Sequence, residues 1–486
     1  MRPPSGFRAL TGGNIRNAGN RRLPCAVIVQ ILGMADTRGA AIYRLEDVKA
    51  HDSAEDCWLV IAGKVYDVTS WVPSHPGGSM IYLQAGRDST HLFDSYHPLY
   101  VRKLLSRYYI GDFQDENYDN IQYMQPFEEK FYTTLKERVE SFFDKFKLDA
   151  RVHPHMFLKS ALIFVGLIFC YYTTFYRQQH FLFSLLSAAG MGFFIAEIGL
   201  SIMHDANHGA YSRYPLLGYI MGASLDIVGA SSFMWKYQHV VGHHSFTNVH
   251  NYDPDIRVKD PDIRRVTSKQ PWHDYHMYQH VYLAILYGLL ALKSIFLDDF
   301  VAYFNGCIGP VKVPKMTPVE FHIFWWGKAV YATYMLVLPL LFSHHNFLSL
   351  LVCYLVSQLV TGWMLALLFQ VAHVVEEAEF FDVDCTNGVP TLSSGWAALQ
   401  VRTTANFSVN SLFWTHVSGG LNHQIEHHLF PAICHLHYPR IQPIVESTCK
   451  EFGIPYHRFP DVWTALKAHF AYLKKVGGSV EFRLAG

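Results

Sequence analysis

Two pairs of long apolar runs decide what this chain can become. Phe157 to Tyr176 and Phe181 to Met203 are separated only by Arg177-Gln178-Gln179-His180, and His322 to Phe342 and Phe347 to Phe369 only by Ser343-His344-His345-Asn346. Each run is about twenty residues, the length an α-helix needs to cross a bilayer. In lipid, backbone polar groups are satisfied only inside helices or closed barrels. A four-residue break permits nothing but a reversal, so each pair reads as a helical hairpin that returns the chain to the side it left. Four transmembrane helices follow, with the loop between the hairpins and everything after them on one face. Tyr278 to Phe296 is also apolar, but Lys293 interrupts it and a crossing there would break the one-face arrangement. It is read as interfacial or re-entrant. Composition agrees: 16% of residues are charged, against about 25% in soluble domains. Glu197, the one carboxylate inside a run, is costly in lipid and is expected to face a polar interior.

The chain has 28 histidines, and three clusters of them fall on that single face: His204 to His208 (HDANH), His239 to His244 (HVVGHH) and Gln424 to His428 (QIEHH). On an α-helix, positions i and i+4 share a face, so His239 and His243 are expected to point at one place. His244 is turned by about 100°, toward a second metal or the other side of the first. An isolated pair of this kind is usually incidental; three on one membrane face are not. The candidate ligands are His204, His208, His239, His243, His244, His427 and His428, with Gln424 where an eighth should fall. That set is too large for one metal and suits two. His373, emerging from the last run, is a further candidate, as ligand or as a donor behind one. His416 and His423 read as structural or as donors behind ligands, while His344 and His345 lie at the far side. The eight cysteines contain no C-x-x-C pair, so neither a disulfide framework nor a thiolate site is indicated. A net charge of zero gives no support to a nucleic-acid partner.

Ahead of the hairpins lies a different composition. Residues 1–40 form a leader or extension, expected to be disordered, whose first 35 residues hold five arginines and no acidic residue. Residues 41–115 read as a small α+β unit. Tyr43 to Val48 is a strand entering a helix, and Trp58 to Ile61 and Lys64 to Val68 are strands across Ala62-Gly63. Ser74-His75-Pro76-Gly77-Gly78 is a turn before a helix. This unit resembles cytochrome b5, above all in His75-Pro76-Gly77-Gly78. The resemblance implies haem b held by an imidazole on each face, with His75 as one ligand and His97 where the family places the second; His91 is the competing position. Six-coordinate iron carries electrons rather than binding oxygen. Residues 116–150 are a connector expected to lie along the membrane surface, and 151–486 form the membrane domain with a cytosolic helical cap.

Imidazole suits iron, zinc and copper alike. A one-electron carrier beside redox-inert zinc would have no task, so the fused unit selects iron. The three boxes together with that unit resemble the front-end fatty acyl desaturases over roughly residues 40 to 475, and Gln424 at the head of the third box is a mark of that group. The resemblance implies two non-haem irons, O2 as oxidant and an NADH-cytochrome b5 reductase as the source of electrons. It implies a cis double bond inserted between an existing one and the carboxyl end of a polyunsaturated acyl-CoA or acyl-phospholipid. No catalytic group is needed beyond the metal ligands. The location implied is the endoplasmic reticulum membrane, multi-pass, with haem unit and boxes facing the cytosol. The basic loop Arg257 to Lys269 agrees with that side. The sequence around His239 and His373 looks most like Δ5 enzymes acting on C20 acids, while Leu225 to Ser231 and Ser418 to His423 look nearly as much like Δ4 enzymes of C22 acids. A sphingolipid long-chain-base Δ8 desaturase and a fatty acid hydroxylase are the other enzyme readings; a membrane-tethered electron carrier is the reading from another class. Trp235, Trp363, Trp396 and Trp414 are candidates to line an acyl tunnel, or bilayer-interface and core residues.

Overall fold

In the N-terminal unit, strands β1 (Ile42–Tyr43), β2 (Trp58–Ile61), β3 (Lys64–Asp67), β4 (Arg87–Asp88) and β5 (Tyr109–Phe113) form one sheet in the order β1-β5-β3-β2-β4. The β2–β3 hairpin is antiparallel, and both loop residues, Ala62 and Gly63, have positive φ (50° and 71°). That is the two-residue turn whose twist matches the strands. Alternation sends Leu59, Ile61 and Tyr66 to one core and Val60 and Val65 to another, under the helix Leu45–Lys49. A computed structural model describes residues 41–115, 121–123, 126–256, 262–386, 388 and 390–478. The expected leader and part of the basic loop lie outside the described residues. From Ile42 onward the chain forms a single unit, so the haem-type fold and the helical region pack as one body.

Among the described residues five helices are long and apolar enough to cross a bilayer: α1 (Pro154–Phe175), α2 (Phe181–Asn207), α3 (Asp274–Asn305), α4 (Pro318–Phe342) and α5 (Phe347–His373). The two four-residue breaks meet at one end. Ser343 Oγ donates to Phe175 O, and Ser184 Oγ lies 3.0 Å from His345 Nε2. His204 and His373 therefore sit together at the opposite end, as the hairpins require. Helices α2 and α5 approach closely at Gly192, whose carbonyl accepts from Thr361 Oγ1 at 3.0 Å, the small-residue contact typical of membrane helices.

Length alone would make α3 a fifth crossing, but its ends say otherwise. At its start Gln279 donates to Leu473 O in the C-terminal helix Val462–Gly478. Its middle reaches α5, where a Cβ on Gly362 would lie 2.1 Å from Gly288 O. A 3₁₀ turn at Tyr287–Leu289 and a π turn at Ser294–Asp298 then interrupt its α-helical winding. Beyond it, Ile308 and Val311 pack with Val240 and Val241 beside the second histidine box. Both ends thus lie on the histidine face, as an interfacial or re-entrant segment requires. Pro215–Ile227 and Ser232–His243 form a second such element, bent by 111°.

The connector's apolar face is buried against the cap. Its helix Pro126–Phe146 carries Phe131, Leu135, Val139 and Phe143 at four-residue intervals. This stripe is buried against Trp396, Ile441 and Val445 of the cap. Lys136 on the same helix donates to Asp94 O and His97 O, each at 2.7 Å, and so fastens the N-terminal unit to the cap.

The re-entrant assignment is open to direct test. With the exposed Cys307 and Cys385 replaced by serine, single cysteines at Gly309 and Glu376 should react with an impermeant maleimide from the same side of sealed microsomes. Cysteines at Gln178 and His344 should react only from the other. Labelling of position 309 together with 178 would make α3 a crossing helix.

Candidate metal centre

Four elements bring histidines to one place. His204 and His208 end α2, just beyond a π turn at Ile198–Ile202. His239, His243 and His244 come from the π-helical segment Lys236–His243 and its cap, His373 is the last residue of α5, and His427 and His428 lie in the helix Gln424–Leu429. Two groups result. In the first, ligand atoms of His204, His208, His239 and His427 all lie within 4.8 Å of one another; in the second, those of His243, His373 and His428 do. His244 stands between the groups, its Nε2 3.2 Å from His239 Nε2 and its ring 4.7 Å from those of His208 and His427 and 4.4 Å from that of His428. Gln424 Nε2 lies 2.9 Å from His373 Nε2, at the second group. Every one of these side chains is buried.

The expected pairing of His239 with His243 holds in part: their rings stack with centroids 5.1 Å apart and their ligand atoms also group with Asp255, but the all-histidine groups divide them. The box is wound as a π-helix, with His244 N bonded to His239 O at 3.0 Å. An i to i+5 winding stacks i+5, not i+4, above i. His239 and His244 therefore face each other, while His243 turns to the second group.

The rings are held from behind in a consistent way. Nδ1 of His239 donates to Asp255 at 2.9 Å, of His243 to Asp253 at 2.9 Å, and of His428 to Gln400 Oε1 at 2.8 Å. His373 Nδ1 faces Thr403 O at 3.3 Å, His427 Nδ1 the Tyr438 hydroxyl at 3.2 Å, and His208 Nδ1 the Tyr96 hydroxyl at 2.5 Å. The other ring nitrogen of His208, His243, His427 and His428 has no hydrogen-bond partner among the described residues, nor has either nitrogen of His204. A buried polar atom without a partner costs about 1–3 kcal/mol, and so many converging in one place fit metal ions rather than a dry interior. Burial, reinforced by neighbouring imidazoles, pushes His244, His427 and His428 well below the ordinary histidine pKa. They are neutral and present lone pairs, as ligation requires.

Sequence reasoning missed the carboxylates. Asp253 and Asp255 flank Pro254 within about ten residues of the box, and in a chain this poor in charge that clustering was the available signal. Gln400, Thr403 and Tyr438 gave none. Of the four tryptophans, Trp235 stacks on His239 with ring centroids 4.4 Å apart and Trp396 donates to His244 O. Trp363 instead bonds Ala284 O in α3, and Trp414 packs in a separate apolar cluster. His423 is buried with Nδ1 3.7 Å from Glu426, outside both groups, and the carbonyl of His416 accepts from Lys159. Glu197 does face a polar interior, 3.6 Å from Lys159 and accepting from Ser201 at 2.9 Å.

In the N-terminal unit the His75 and His97 rings face each other with centroids 5.8 Å apart. Metal–imidazole bonds of about 2 Å on opposite faces of one ion need a similar separation once the ring radii are added. His97 Nδ1 donates to Phe93 O at 3.0 Å, leaving Nε2 for the cleft. Burial lowers the His97 pKa to about 4, so the ring is neutral. Gly78 has φ +57°, and a Cβ on Gly77 would lie 2.7 Å from His75 Cε1, so the turn tolerates only glycine where the ligand ring must swing in. His91, the competing position, packs instead against Tyr123 and Trp396. The cleft is a cavity of about 810 Å³ whose far wall carries Asn207, His208 and Lys236. Haem pocket and histidine groups thus share a wall.

Residues 179–460 match the family described as fatty acid desaturase, and residues 44–114 the cytochrome b5-like heme/steroid binding domain. Over 450 residues the chain is 61% identical to an acyl-lipid (8-3)-desaturase of Physcomitrium patens, covering 91% of this chain and 93% of that one. It is 37% identical over 445 residues to Delta(5) fatty acid desaturase A of Dictyostelium discoideum, covering 90% and 95%. It is 36% identical over 438 residues to an acyl-lipid (8-3)-desaturase of Mortierella alpina, covering 89% and 96%.

Two groups and one cleft make separable losses. His243→Ala should reduce non-haem iron from about two to about one per chain, with haem absorption unchanged, whereas His75→Ala should abolish the haem spectrum and leave the non-haem iron. Asp253→Asn keeps every ligand but should weaken iron retention against a chelator by about 10- to 100-fold.

Proposed function

The chain belongs to the fatty acid desaturase family, as a front-end acyl-lipid desaturase with a fused cytochrome b5-like domain, and on that premise we propose that it inserts a Δ5 double bond into C20 polyunsaturated acyl chains of membrane lipids. The observation that carries the reading is the pair of buried histidine groups, with unpartnered nitrogens pointing inward, sharing a wall with a haem cleft. The names of the relatives, (8-3) and Delta(5), support the position of the new bond, and acyl-lipid supports a phospholipid rather than a CoA carrier.

Two irons with O2 supply an oxidant strong enough to take hydrogen from an unactivated methylene, which acid–base groups cannot do. In our assignment His204, His208, His239, His244 and His427 hold one iron, and His243, His373, His428 and Gln424 the other. Asp255, Asp253 and Gln400 fix the rings so that Nε2 faces inward. Burial of the whole set keeps bulk water from the reacting carbons, and Trp235 closes one wall. His75 and His97 hold the haem. An NADH-cytochrome b5 reductase recharges it from the cytosol, the side of the endoplasmic reticulum membrane on which we place both haem and histidines.

Expression in a yeast without polyunsaturated fatty acids tests the position. Fed a C20 acid unsaturated from carbon 8, the cells should accumulate the product with a new bond at carbon 5, first in phospholipid. Products only at carbon 4 of C22 acids, or only in sphingoid bases, would replace the Δ5 reading.

A further inference from the structure

Six of the clustered histidines have an oxygen behind Nδ1. Five of those partners, Asp253, Asp255, Gln400, Thr403 and Tyr438, belong to the desaturase region itself. The sixth, Tyr96 behind His208, comes from the haem unit. Tyr96 immediately precedes His97, so one peptide bond separates the residue facing the haem from the residue touching the metal centre. The placement is firm. The Tyr96 hydroxyl lies 2.5 Å from His208 Nδ1, with the two rings nearly parallel at 22°. Lys136 holds the carbonyls of Asp94 and His97 on either side of it, and Phe93 stacks on the His97 ring at 4.4 Å. On the metal side, His208 Nε2 is unpartnered and points into the first group.

We infer that Tyr96 is the junction across which the haem unit's electron enters the metal centre, along His97, the peptide bond to Tyr96, and the hydrogen bond to His208. The inference rests on the desaturase reading and adds a residue to it. Each passage takes one electron from ferrous haem, leaving it ferric, and gives it to the metal centre. Two passages, with two electrons and two protons from the –CH2–CH2– unit and two protons from solvent, reduce one O2 to two waters. A through-bond path with a single hydrogen-bonded gap conducts better than one that must cross the cavity. Tyr96 never touches the acyl chain; it acts through His208.

The test uses full-length holoprotein and Tyr96→Phe, which keeps the ring and removes the hydroxyl. Under anaerobic conditions and without substrate, haem is flash-reduced while the irons are ferric. Decay of the ferrous-haem absorption is followed alongside the electron paramagnetic resonance signal of the one-electron-reduced iron pair. With both proteins loaded with iron in excess, the variant should retain wild-type haem absorption and transfer the electron about tenfold more slowly or worse. A small viologen reductant that reaches the irons directly should still drive desaturation in the variant. Unchanged transfer would overturn the inference. So would loss of both transfer and viologen-driven desaturation, because Tyr96 would then merely support the metal site. If the wild-type protein formed no product with viologen either, the desaturase reading, not the route, would have failed.

Discussion

Eight imidazoles are buried side by side at this protein's centre, six of them tethered from behind and most of them unbonded in front. A protein interior ordinarily pairs its buried polar atoms, and leaving several nitrogens bare costs about 1–3 kcal/mol each. The rest of the fold serves this expensive arrangement. Aspartates 253 and 255, Gln400 and the hydroxyls of Tyr96 and Tyr438 fix one nitrogen of each ring, so that the other is aimed rather than free to find a partner. Once metal takes the inward lone pairs, the same tethers raise ligand basicity. Metal binding and stability of the cap are therefore coupled.

The hairpins and re-entrant segments follow from the same need. Ligands arrive from the ends of α2 and α5, from a bent re-entrant element and from the cap, and all must meet at one depth. Two hairpins put both contributing membrane helices at that face. A third crossing between the second and third boxes would have carried His373 to the wrong side. The chain avoids this by keeping both ends of α3 on the histidine face, with Gly288 pressed on Gly362 where no side chain fits between the backbones. The long apolar segment therefore thickens the bundle around α5 without changing its sidedness.

Much of this was legible in the residues. Helix length and four-residue breaks gave the hairpins, because lipid leaves the backbone few options. The histidine boxes and His75-Pro76-Gly77-Gly78 gave two metal-bearing sites, because ligation restricts residue type and spacing severely. What stayed hidden is what local pattern does not encode. Nothing in HVVGHH distinguishes α from π winding, yet that winding decides which group His243 joins. The connector's apolar stripe at 131, 135, 139 and 143 is equally compatible with a membrane surface and a protein surface; only the cap's complementary face selects the latter. Tyr96 and His208 are 112 positions apart, and no periodicity links them.

Fusion of the two units gains its sense from that contact. A diffusing carrier must find its orientation at each encounter, whereas a tethered one searches a small volume. Here the tether is more than a leash. The connector helix is part of the cap's core through Phe131 and Leu135, and its Lys136 grips the backbone on both sides of Tyr96. The haem unit is thus docked by buried apolar area and aligned by two short charge-assisted bonds. Such a docked geometry favours a short fixed route over a fast search, and it sets a limit: the edge of the haem unit that faces His208 is closed to any external reductase. Electrons must enter by the face turned away from the cap, so recharging and delivery can proceed without undocking between the two transfers that each double bond requires.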